Sequence, residues 1–295
     1  YKSWRETKDQ VRGLLKEHQP AAVLGLGGYA AGVAVKKAAD RGIPTAVLNP
    51  DVVPGKANQF LMKVVRAVCC QFEATGRLVG ATSKPKIQVT GCPIRADIRT
   101  PPPRDEASKR LGIDPTLKTL LVTGASLGAR TVNEAVLEML GGVTLQGWQV
   151  LHLAGREHAD AVKAGYRGLN VTSRVIDFTP AMADVWAATD LAISRSGASS
   201  CAELTACGVP SILMPYPYHR DMHQRANAEQ LVAGGAAVLV DDEKDRAKNA
   251  AKLKPAVEGI MYDAGRRQRM AEAARTLGKP DAAERVARLV LEMTS

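Results

Sequence analysis

Short apolar runs alternate with glycine-containing turns and helical stretches along the chain, and this alternation constrains the fold more than any other feature. The first apolar runs lie at 21–26, 44–48, 64–72 and 86–90, with a helical stretch at 30–39. Strands that are apolar at consecutive positions are typical of parallel sheets buried under helices on both faces. The pattern therefore predicts an α/β protein.

Three consecutive prolines separate two such alternations. The segment IRTPPPRDE (98–106) cannot continue a helix or a central strand, so it predicts a stiff extended link at a domain boundary. Beyond it the alternation restarts with six apolar runs, at 119–123, 149–153, 171–178, 190–194, 211–214 and 237–240. We predict a partial Rossmann-like domain over 1–100, a complete one over 101–280, and a carboxy-terminal helix over 281–295 that packs back on the first domain.

The chain opens on a helical pattern over 3–18, whereas doubly wound folds usually open on a strand. We therefore expect the amino-terminal part of the first domain to lie upstream of Tyr1. The opening helix is amphipathic, with basic residues Lys2, Arg5, Lys8, Arg12 and Lys16 and apolar residues Trp4, Val11, Leu14 and Leu15. It either rests on anionic lipid headgroups or packs on the sheet through its apolar residues.

The composition of the chain limits the classes of partner that it can bind. The net charge of +10 suits nucleic acid, an anionic membrane or a phosphate-bearing substrate, but aromatic residues are only 4% of the chain, too few for the stacking on which single-stranded nucleic-acid binders rely. We expect no nucleic-acid partner. The five cysteines form no C-x-x-C pair and the five histidines are scattered, so we expect buried, reduced thiols and neither a metal site nor a cofactor. No apolar run approaches the ~18 residues of a membrane-spanning helix, and no export signal is readable.

Two glycine-rich turns follow predicted strands. In GLGGYAAG (25–32) the glycines suit phosphate contact or close strand-to-helix packing equally, because the acid that completes a dinucleotide fingerprint is missing. In TGASLGAR (123–130), Gly124 and Gly128 let backbone amides approach a ligand, and Ser126 offers a hydroxyl at a helix N-terminus, which favours phosphate. The alternative is a tight turn with Ser126 as N-cap.

Two polar turns follow later strands. In SRSGASSCAE (194–203), small residues open a helix, and Glu203 either accepts hydrogen bonds from a vicinal diol such as ribose or is a solvated helix residue. In PYPYHRDMHQRAN (215–227), the side chains of Asp221, His223, Gln224 and Asn227 suit a sugar, or else form an N-terminal cap and an exposed face.

Six motifs in one order resemble the MurG family of bacterial peptidoglycan glycosyltransferases. They are GLGGYAAG, GCPIR (91–95), TGASLGAR, FTPAM (178–182), SRSGASSCAEL and D-x-H-Q-x-x-N-A (221–228). The resemblance covers nearly the whole chain and implies a GT-B fold with two Rossmann-like domains, the first lacking its amino-terminal side. It implies transfer of N-acetylglucosamine from UDP-N-acetylglucosamine to the undecaprenyl-linked lipid I, giving lipid II. It also implies a cytoplasmic protein, peripheral on the anionic cytoplasmic face of the bacterial inner membrane.

The resemblance implies a role for each matching residue. Arg95 and Ser126 would meet the donor, Ser126 at its phosphate, and the Thr179 backbone would read the uracil edge. Glu203 would hold the ribose hydroxyls, and Gln224 would reach the sugar with His223 and Asn227 nearby. The remaining donor-lining residues would be Ala198, Ser199, Ser200, Cys201 and Ala202.

The chain departs from the family pattern in its first half. The family's His-Glu-Gln-Asn stretch is replaced by Leu48 to Asp51, of which Asp51 can still bond a sugar, and Ala125 replaces a usual glycine. The sequence identifies no catalytic base and no D-x-D metal pair, so helix N-termini and Arg95 or Arg195 are the expected diphosphate partners. Another UDP-sugar enzyme of this fold, such as a glycolipid glycosyltransferase or an epimerase, and a non-catalytic UDP-sugar-binding protein remain alternatives.

Overall fold

The computed structural model describes residues 2–79, 85–124, 128–218 and 221–294. The chain forms two compact units. Unit 1 comprises Tyr1–Pro93 and Lys279–Ser295, and unit 2 comprises Ile94–Gly278. The chain thus passes into unit 2 before the three prolines, and it returns to unit 1 at its carboxy-terminal end.

Unit 1 is built around a four-stranded parallel sheet in the order β1-β2-β3-β4. Its elements up to the last strand are α1 (Lys2–His18), β1 (Val23–Gly25), α2 (Gly28–Ala39), β2 (Thr45–Asn49), α3 (Lys56–Leu61), β3 (Ala67–Cys70), α4 (Glu73–Val79) and β4 (Lys86–Val89). Every residue of β2 and β3 is buried, as the consecutive apolar positions predict for strands covered on both faces.

Unit 2 holds a six-stranded parallel sheet in the order β10-β9-β8-β5-β6-β7. Its elements are α5 (Ala96–Arg99), α6 (Arg104–Leu111), β5 (Lys118–Thr123), α7 (Arg130–Leu140), β6 (Trp148–Leu153), α8 (Ala159–Tyr166), β7 (Ser173–Ile176), α9 (Met182–Ala187), β8 (Leu191–Ser194), α10 (Ala198–Cys207), β9 (Ser211–Leu213), α11 (His223–Ala233), β10 (Ala237–Leu239), α12 (Arg246–Met261) and α13 (Ala264–Leu277). The predicted α/β class and the six strands are confirmed.

The strand order places a switch point beside β5. From β5 the chain adds β6 and β7 on one side, then crosses back to add β8, β9 and β10 on the other. Ligands of doubly wound sheets bind where the strand order reverses, outside the carboxyl ends of the strands. Thr123 at the end of β5 pairs with Ser194 at the end of β8, so the carboxyl ends of these two strands lie side by side.

The last helix, α14 (Ala282–Glu292), packs on the sheet of unit 1. Its Val286 and Leu289 are buried in one cluster with Leu48 and Cys69, and Val290 and Met293 pack against that cluster. These four helix residues recur at helical spacing, which places them on one face. Together they form an apolar stripe that faces the sheet.

The extended part of the proline-rich segment is shorter than the segment IRTPPPRDE (98–106) predicts. Ala96–Arg99 and Arg104–Leu111 are helical, so the extended link is confined to the residues between them. Proline is tolerated immediately before a helix, where its missing N–H has no helical acceptor to lose.

The cysteines are mostly buried, as the sequence predicts. All five are free thiols, four of them buried and Cys207 partly exposed, and burial raises the pKa of Cys69 to about 11. Within the described part of the chain, no helix combines the length and the apolar character needed to cross a membrane.

Candidate functional site

The glycine turn after β5 is shaped by two close approaches. A Cβ atom on Gly124 would lie 2.2 Å from the Ala129 nitrogen, and one on Gly128 would lie 2.3 Å from the Ala154 carbonyl oxygen. Gly128 also has a φ of 75°. Both positions therefore require glycine to close the turn against α7 and the end of β6. Ser126 lies outside the described residues, so its phosphate contact stays a prediction.

The turn after β8 is tied to the start of α11. The Ser196 hydroxyl donates to the Gln224 carbonyl oxygen at 2.8 Å, and the Asn227 Nδ2 group donates to the Ser196 carbonyl oxygen at 3.1 Å. The Gln224 Oε1 atom accepts from the Tyr216 amide at 2.9 Å, which orients the side-chain amide of Gln224, and its contact with a sugar stays a prediction. Asn227 is fully buried, so its side chain stabilises the turn from the protein interior.

Two other predicted residues of this region have partners in the protein. His223 Nδ1 lies 2.7 Å from the Asp221 carboxylate, immediately after Met222, which has a φ of 50° at the N-cap of α11. The Thr179 hydroxyl accepts from the Ala181 amide at 3.1 Å and so shapes the turn after β7. A role of the Thr179 backbone in base recognition stays a prediction.

The small residues of α10 divide into two groups. Ser199 is exposed and Ala198 and Ser200 are half-buried, whereas Cys201 and Ala202 are buried. The Cys201 amide donates to the Gly197 carbonyl oxygen, and its own carbonyl accepts from the Thr205 hydroxyl at 2.8 Å. The Cys201 side chain is thus buried and its backbone groups already have partners within the protein, and the donor-lining role of residues 198–203 stays a prediction.

Glu203 is half-buried and hydrogen-bonded rather than solvated. The Trp186 indole N–H donates to Glu203 Oε2 at 2.8 Å. Burial raises the pKa of Glu203, while the Trp186 hydrogen bond and the nearby Arg95 guanidinium oppose that rise and Asp97 adds to it. Arg95 itself is exposed and pairs with Asp97 at 3.2 Å. The structure thus places Arg95 near Glu203, two residues that are distant in sequence.

The Arg195 side chain is buried, and its guanidinium binds groups of the protein itself. Its guanidinium lies 2.9 Å from the Asp242 carboxylate in a buried ion pair, and it donates to the Thr131 hydroxyl at 2.8 Å. It also donates to the carbonyl oxygens of Met214 and Pro215. The expected role of Arg195 as a diphosphate partner is therefore not supported by its position. It instead links the ends of three strands to the start of α7.

Asp242 completes this buried network. Its carboxylate accepts from Thr131 at 2.6 Å, from Asn249 Nδ2 at 2.8 Å and from the Lys244 amide at 2.9 Å. Burial opposes ionisation of Asp242, but these hydrogen bonds and Arg195 outweigh it and hold the pKa below its usual range. Sequence reasoning missed this residue, for which the adjacent acids at 241–242 were the available signal.

A second buried network braces the glycine turn. His152 lies fully buried in β6, with Nδ1 at 2.9 Å from the Tyr166 hydroxyl and Nε2 at 3.1 Å from Asn133 Oδ1. Asn133 Nδ2 donates to the carbonyl oxygen of Ala154, which faces Gly128. Burial lowers the pKa of His152 to about 3, so the ring is neutral at physiological pH.

Residues 119–286 match the glycosyltransferase family 28 C-terminal domain, and residues 2–70 match the N-terminal domain of that family. The crystal structure of Acinetobacter baumannii MurG superposes with a TM-score of 0.78 at 26% identity, covering 97% of this chain and 77% of that one. A UDP-N-acetylglucosamine–N-acetylmuramyl-(pentapeptide) pyrophosphoryl-undecaprenol N-acetylglucosamine transferase of Halalkalibacterium halodurans is 36% identical over 291 residues, which are 98% of this chain and 78% of that protein. The chain belongs to the MurG family.

The GT-B fold predicted from the MurG resemblance is confirmed. A UDP-N-acetylglucosamine 2-epimerase from Neisseria meningitidis bound to UDP-N-acetylglucosamine also superposes, with a TM-score of 0.68 at 13% identity over 97% of this chain and 80% of that one. At that identity the likeness concerns the fold alone.

The carboxyl edge of the first sheet carries buried amide side chains. Leu48 is buried in the core, and Asn58 Nδ2 donates to the Leu48 carbonyl oxygen at 3.2 Å and to Asn49 Oδ1 at 3.0 Å. The Asp51 carbonyl oxygen accepts from the Thr75 hydroxyl at 3.3 Å. A Cβ atom on Gly25 would lie 2.7 Å from Val35, so close packing on α2 accounts for that glycine.

The opening helix of the MurG-family chain packs on its own unit. Val11 and Leu15 are buried against Val33 of α2, whereas Leu14 is 53% exposed. The side chains of Lys2, Trp4 and Arg5 lie outside the described residues. Packing on α2 therefore explains Val11 and Leu15, and leaves Leu14 on the solvent side.

A cavity of about 470 Å³ lies beside this helix, and we call it the lysine cavity. Its lining includes Lys8, Lys36, Lys37, Lys56 and Phe60. Phe60 is 53% exposed. Asp40 also lines the cavity and pairs with both Lys36 and Lys37, and the hydrogen bond from Lys36 lowers the pKa of Asp40. The lysine cavity thus combines an exposed aromatic ring with cationic side chains on unit 1.

Proposed function

We propose that this protein transfers N-acetylglucosamine from UDP-N-acetylglucosamine to the N-acetylmuramyl sugar of an undecaprenyl-pyrophosphoryl acceptor, which turns lipid I into lipid II in peptidoglycan synthesis. Membership of the MurG family carries this proposal, because relatives that match 92% to 98% of this chain are named for that reaction. The polar edge of the second sheet supplies groups suited to a UDP-sugar.

We assign the donor to the switch point of unit 2. Glu203 accepts hydrogen bonds from the ribose hydroxyls, the Thr179 backbone meets the uracil edge, and Gln224 Nε2 donates to the sugar. The N-terminal turn of α10, whose first N–H groups have no intrahelical acceptor, offers those groups and the positive end of the helix dipole to the diphosphate. Arg95 adds a positive charge on the Glu203 side of this edge.

The reaction is a displacement at the anomeric carbon with inversion. The acceptor hydroxyl oxygen forms the new bond to that carbon, the bond to the UDP oxygen breaks, and UDP leaves with the electron pair. The proton of the acceptor hydroxyl passes to a general base. The N-terminus of α10 and Arg95 stabilise the negative charge that develops on the leaving diphosphate.

UDP release in the presence of a lipid I analogue tests this function. We expect release that needs both UDP-N-acetylglucosamine and the acceptor, together with a disaccharide product identified by mass spectrometry. Formation of UDP-N-acetylmannosamine without an acceptor would instead identify an epimerase. Binding of UDP-N-acetylglucosamine with no turnover on any acceptor would identify a binding protein.

The nucleotide part of the proposal is tested separately by calorimetry with UDP and ADP. A site that reads the uracil edge near Thr179 binds UDP more tightly than ADP. Equal affinities for the two nucleotides would contradict the assignment of the donor site to this edge.

We also propose that the lysine cavity meets the anionic cytoplasmic face of the bacterial inner membrane, where the lipid-linked acceptor resides. Each lysine near an anionic surface contributes about 1 kcal/mol of binding, and Phe60 adds apolar contact. The proposal thus includes a peripheral location on the cytoplasmic side of that membrane.

Sedimentation with phosphatidylglycerol-containing vesicles tests the membrane proposal. We expect the double variant Lys37→Gln/Lys56→Gln to bind these vesicles about 10-fold to 30-fold more weakly, with little binding of either protein to phosphatidylcholine alone. The control Lys109→Gln/Lys163→Gln removes the same charge from unit 2. Equal weakening by both double variants would show that net charge, and not the lysine cavity, drives binding.

A further inference from the structure

Trp186 is a buried side chain at the predicted donor edge that the proposed function does not use. It lies in α9, is 3% exposed, and directs its indole N–H at Glu203 Oε2, 2.8 Å away. An indole has one donor and no acceptor, so this hydrogen bond is the single polar contact that the side chain can make. The contact joins α9 to α10.

The carboxylate of Glu203 has competing orientations without that contact. Arg95 and Asp97 both act on it from the start of α5, and Cys207 is its neighbour within α10. The Arg95 guanidinium offers a fork of donors that matches both oxygens of a carboxylate. A carboxylate that turned toward Arg95 would present fewer lone pairs to a ligand.

A neutral donor orients the carboxylate without neutralising it. An ionised carboxylate has about four lone-pair positions, and the indole N–H occupies one of them on Oε2. Oε1 and the remaining position on Oε2 stay available as acceptors. Two adjacent acceptors in one plane match the two hydroxyls of a vicinal diol.

We propose that Trp186 is a positioning residue that holds the Glu203 carboxylate in the plane required by the 2′- and 3′-hydroxyls of the donor ribose, and so determines the preference for ribonucleotides over deoxyribonucleotides. This inference rests on the proposed role of Glu203 in ribose recognition. Trp186 acts through Glu203 and makes no contact with the nucleotide itself.

The test compares the affinities of the full chain for UDP, 2′-deoxy-UDP and 3′-deoxy-UDP by calorimetry. In Trp186→Phe, which keeps a ring and loses the donor, we expect UDP affinity to fall about 3-fold to 10-fold. Affinity for either deoxynucleotide should stay within about 2-fold, so the ratio between them shrinks. If Trp186 has a purely structural role, the affinities for all three nucleotides should fall by the same factor. That result would overturn the inference.

Trp148→Phe is the matched control. Trp148 is a buried tryptophan of the same unit at the start of β6, stacked under Arg267 and outside the proposed donor site. We expect its ratio of UDP to deoxy-UDP affinity to equal that of the parent chain. A shrunken ratio in this control as well would contradict a specific role for Trp186.

A measurement on the unmodified protein covers the case in which Trp186→Phe fails to fold. The chain has three tryptophans, so its ¹⁵N spectrum contains three indole N–H signals. We expect the Trp186 signal to shift when UDP is added and to shift less with 2′-deoxy-UDP. An unchanged Trp186 signal at saturating UDP would overturn the inference.

Glu203→Gln separates the two levels of the proposal. If this variant binds UDP as tightly as the parent, the role of Glu203 in ribose recognition fails, and the role of Trp186 fails with it. If Glu203→Gln weakens binding while Trp186→Phe preserves the ribose preference, only the inference about Trp186 fails.

Discussion

At the carboxyl edge of the second sheet, Arg195 and Asp242 are buried as an ion pair, whereas the edge of the first sheet carries the buried neutral amides Asn49, Asn58 and Gln71. Most polar atoms of the ion-pair network have partners, although Arg195 Nε lacks an acceptor among the described residues. On the first edge, Asn58 Oδ1 and Gln71 Oε1 are buried without a hydrogen-bond donor in the part of the chain that the structure describes.

This difference predicts that substitutions at the two edges change stability unequally. A buried charge needs its counter-charge, because an unpaired ion inside the protein costs several kcal/mol, about 3–5 when one partner is removed. A buried amide that lacks one partner costs about 1–3 kcal/mol already in the native state. We therefore expect the second edge to be rigid and sensitive to single substitutions, and the first edge to accept them.

The largest effect is expected for Asp242→Asn. The substitution leaves the Arg195 charge buried without compensation, so the free energy of unfolding of unit 2 should fall by about 3–5 kcal/mol. Denaturation followed by tryptophan fluorescence measures this, since Trp148 and Trp186 both lie in unit 2. The control Asp241→Asn removes the neighbouring carboxylate, which forms a more exposed pair with Arg225, and should cost at most about 1 kcal/mol. Equal losses would remove the distinction between the edges.

Glu203→Gln should weaken UDP binding about 10-fold to 100-fold, because a hydrogen bond to a charged acceptor contributes roughly 1.5–3 kcal/mol. Calorimetry measures the affinity, and Glu229→Gln on the exposed face of α11 serves as control. Burial raises the Glu203 pKa, so protonation begins at a higher pH than for an ordinary glutamate. UDP affinity of the parent should fall on acidification through that range, and the fall should be smaller in Glu203→Gln.

His152 should make unit 2 sensitive to mild acid. Its pKa is about 3 in the folded chain against a usual 6.5, so below 6.5 the unfolded chain binds a proton that the folded chain refuses. Stability therefore falls as the pH falls, by about 2 kcal/mol between pH 7 and pH 5.

Denaturation of His152→Gln at both pH values checks this prediction. We expect a lower stability at pH 7, since the contacts to Asn133 and Tyr166 are disturbed, but a smaller loss on going to pH 5. His18→Gln at the exposed end of α1 should keep the pH dependence of the parent. A parent-like slope in His152→Gln would show that another group causes the acid sensitivity.

The smallest effect is expected for Gln71→Met. An apolar side chain of similar size removes an acceptor that has no partner among the described residues, so stability should stay unchanged or rise by up to about 1 kcal/mol. Gln149→Met is the contrasting variant, because Gln149 is buried with hydrogen bonds to the Asp114 backbone and to Thr119, and should lose about 1–3 kcal/mol. A stable Gln71→Met chain that loses only transferase activity would indicate that Gln71 is retained for the acceptor.

The sequence predicted the positions of the strands closely, but it did not predict the hydrogen-bond partners of the site residues. The predicted run at 119–123 compares with β5 at Lys118–Thr123, and the run at 190–194 compares with β8 at Leu191–Ser194. Burial on both faces produces a continuous apolar run that is visible in any window of the sequence. The sequence did not predict that Trp186 donates the hydrogen bond to Glu203, because nothing in the neighbouring residues indicates that its indole N–H has a polar partner.

The sequence by itself determined the α/β class, the glycine turns and the apolar stripe of α14, because each depends on residues that are neighbours along the chain. Only the tertiary structure decided that β5 lies between β6 and β8, and this order brings Arg195 to Asp242 and Trp186 to Glu203. Periodicity reports which face of an element is buried, but it does not report which strand lies next to it. The two members of each pair lie on different strand-to-helix connections of the sheet, so only the folded sheet brings them into contact.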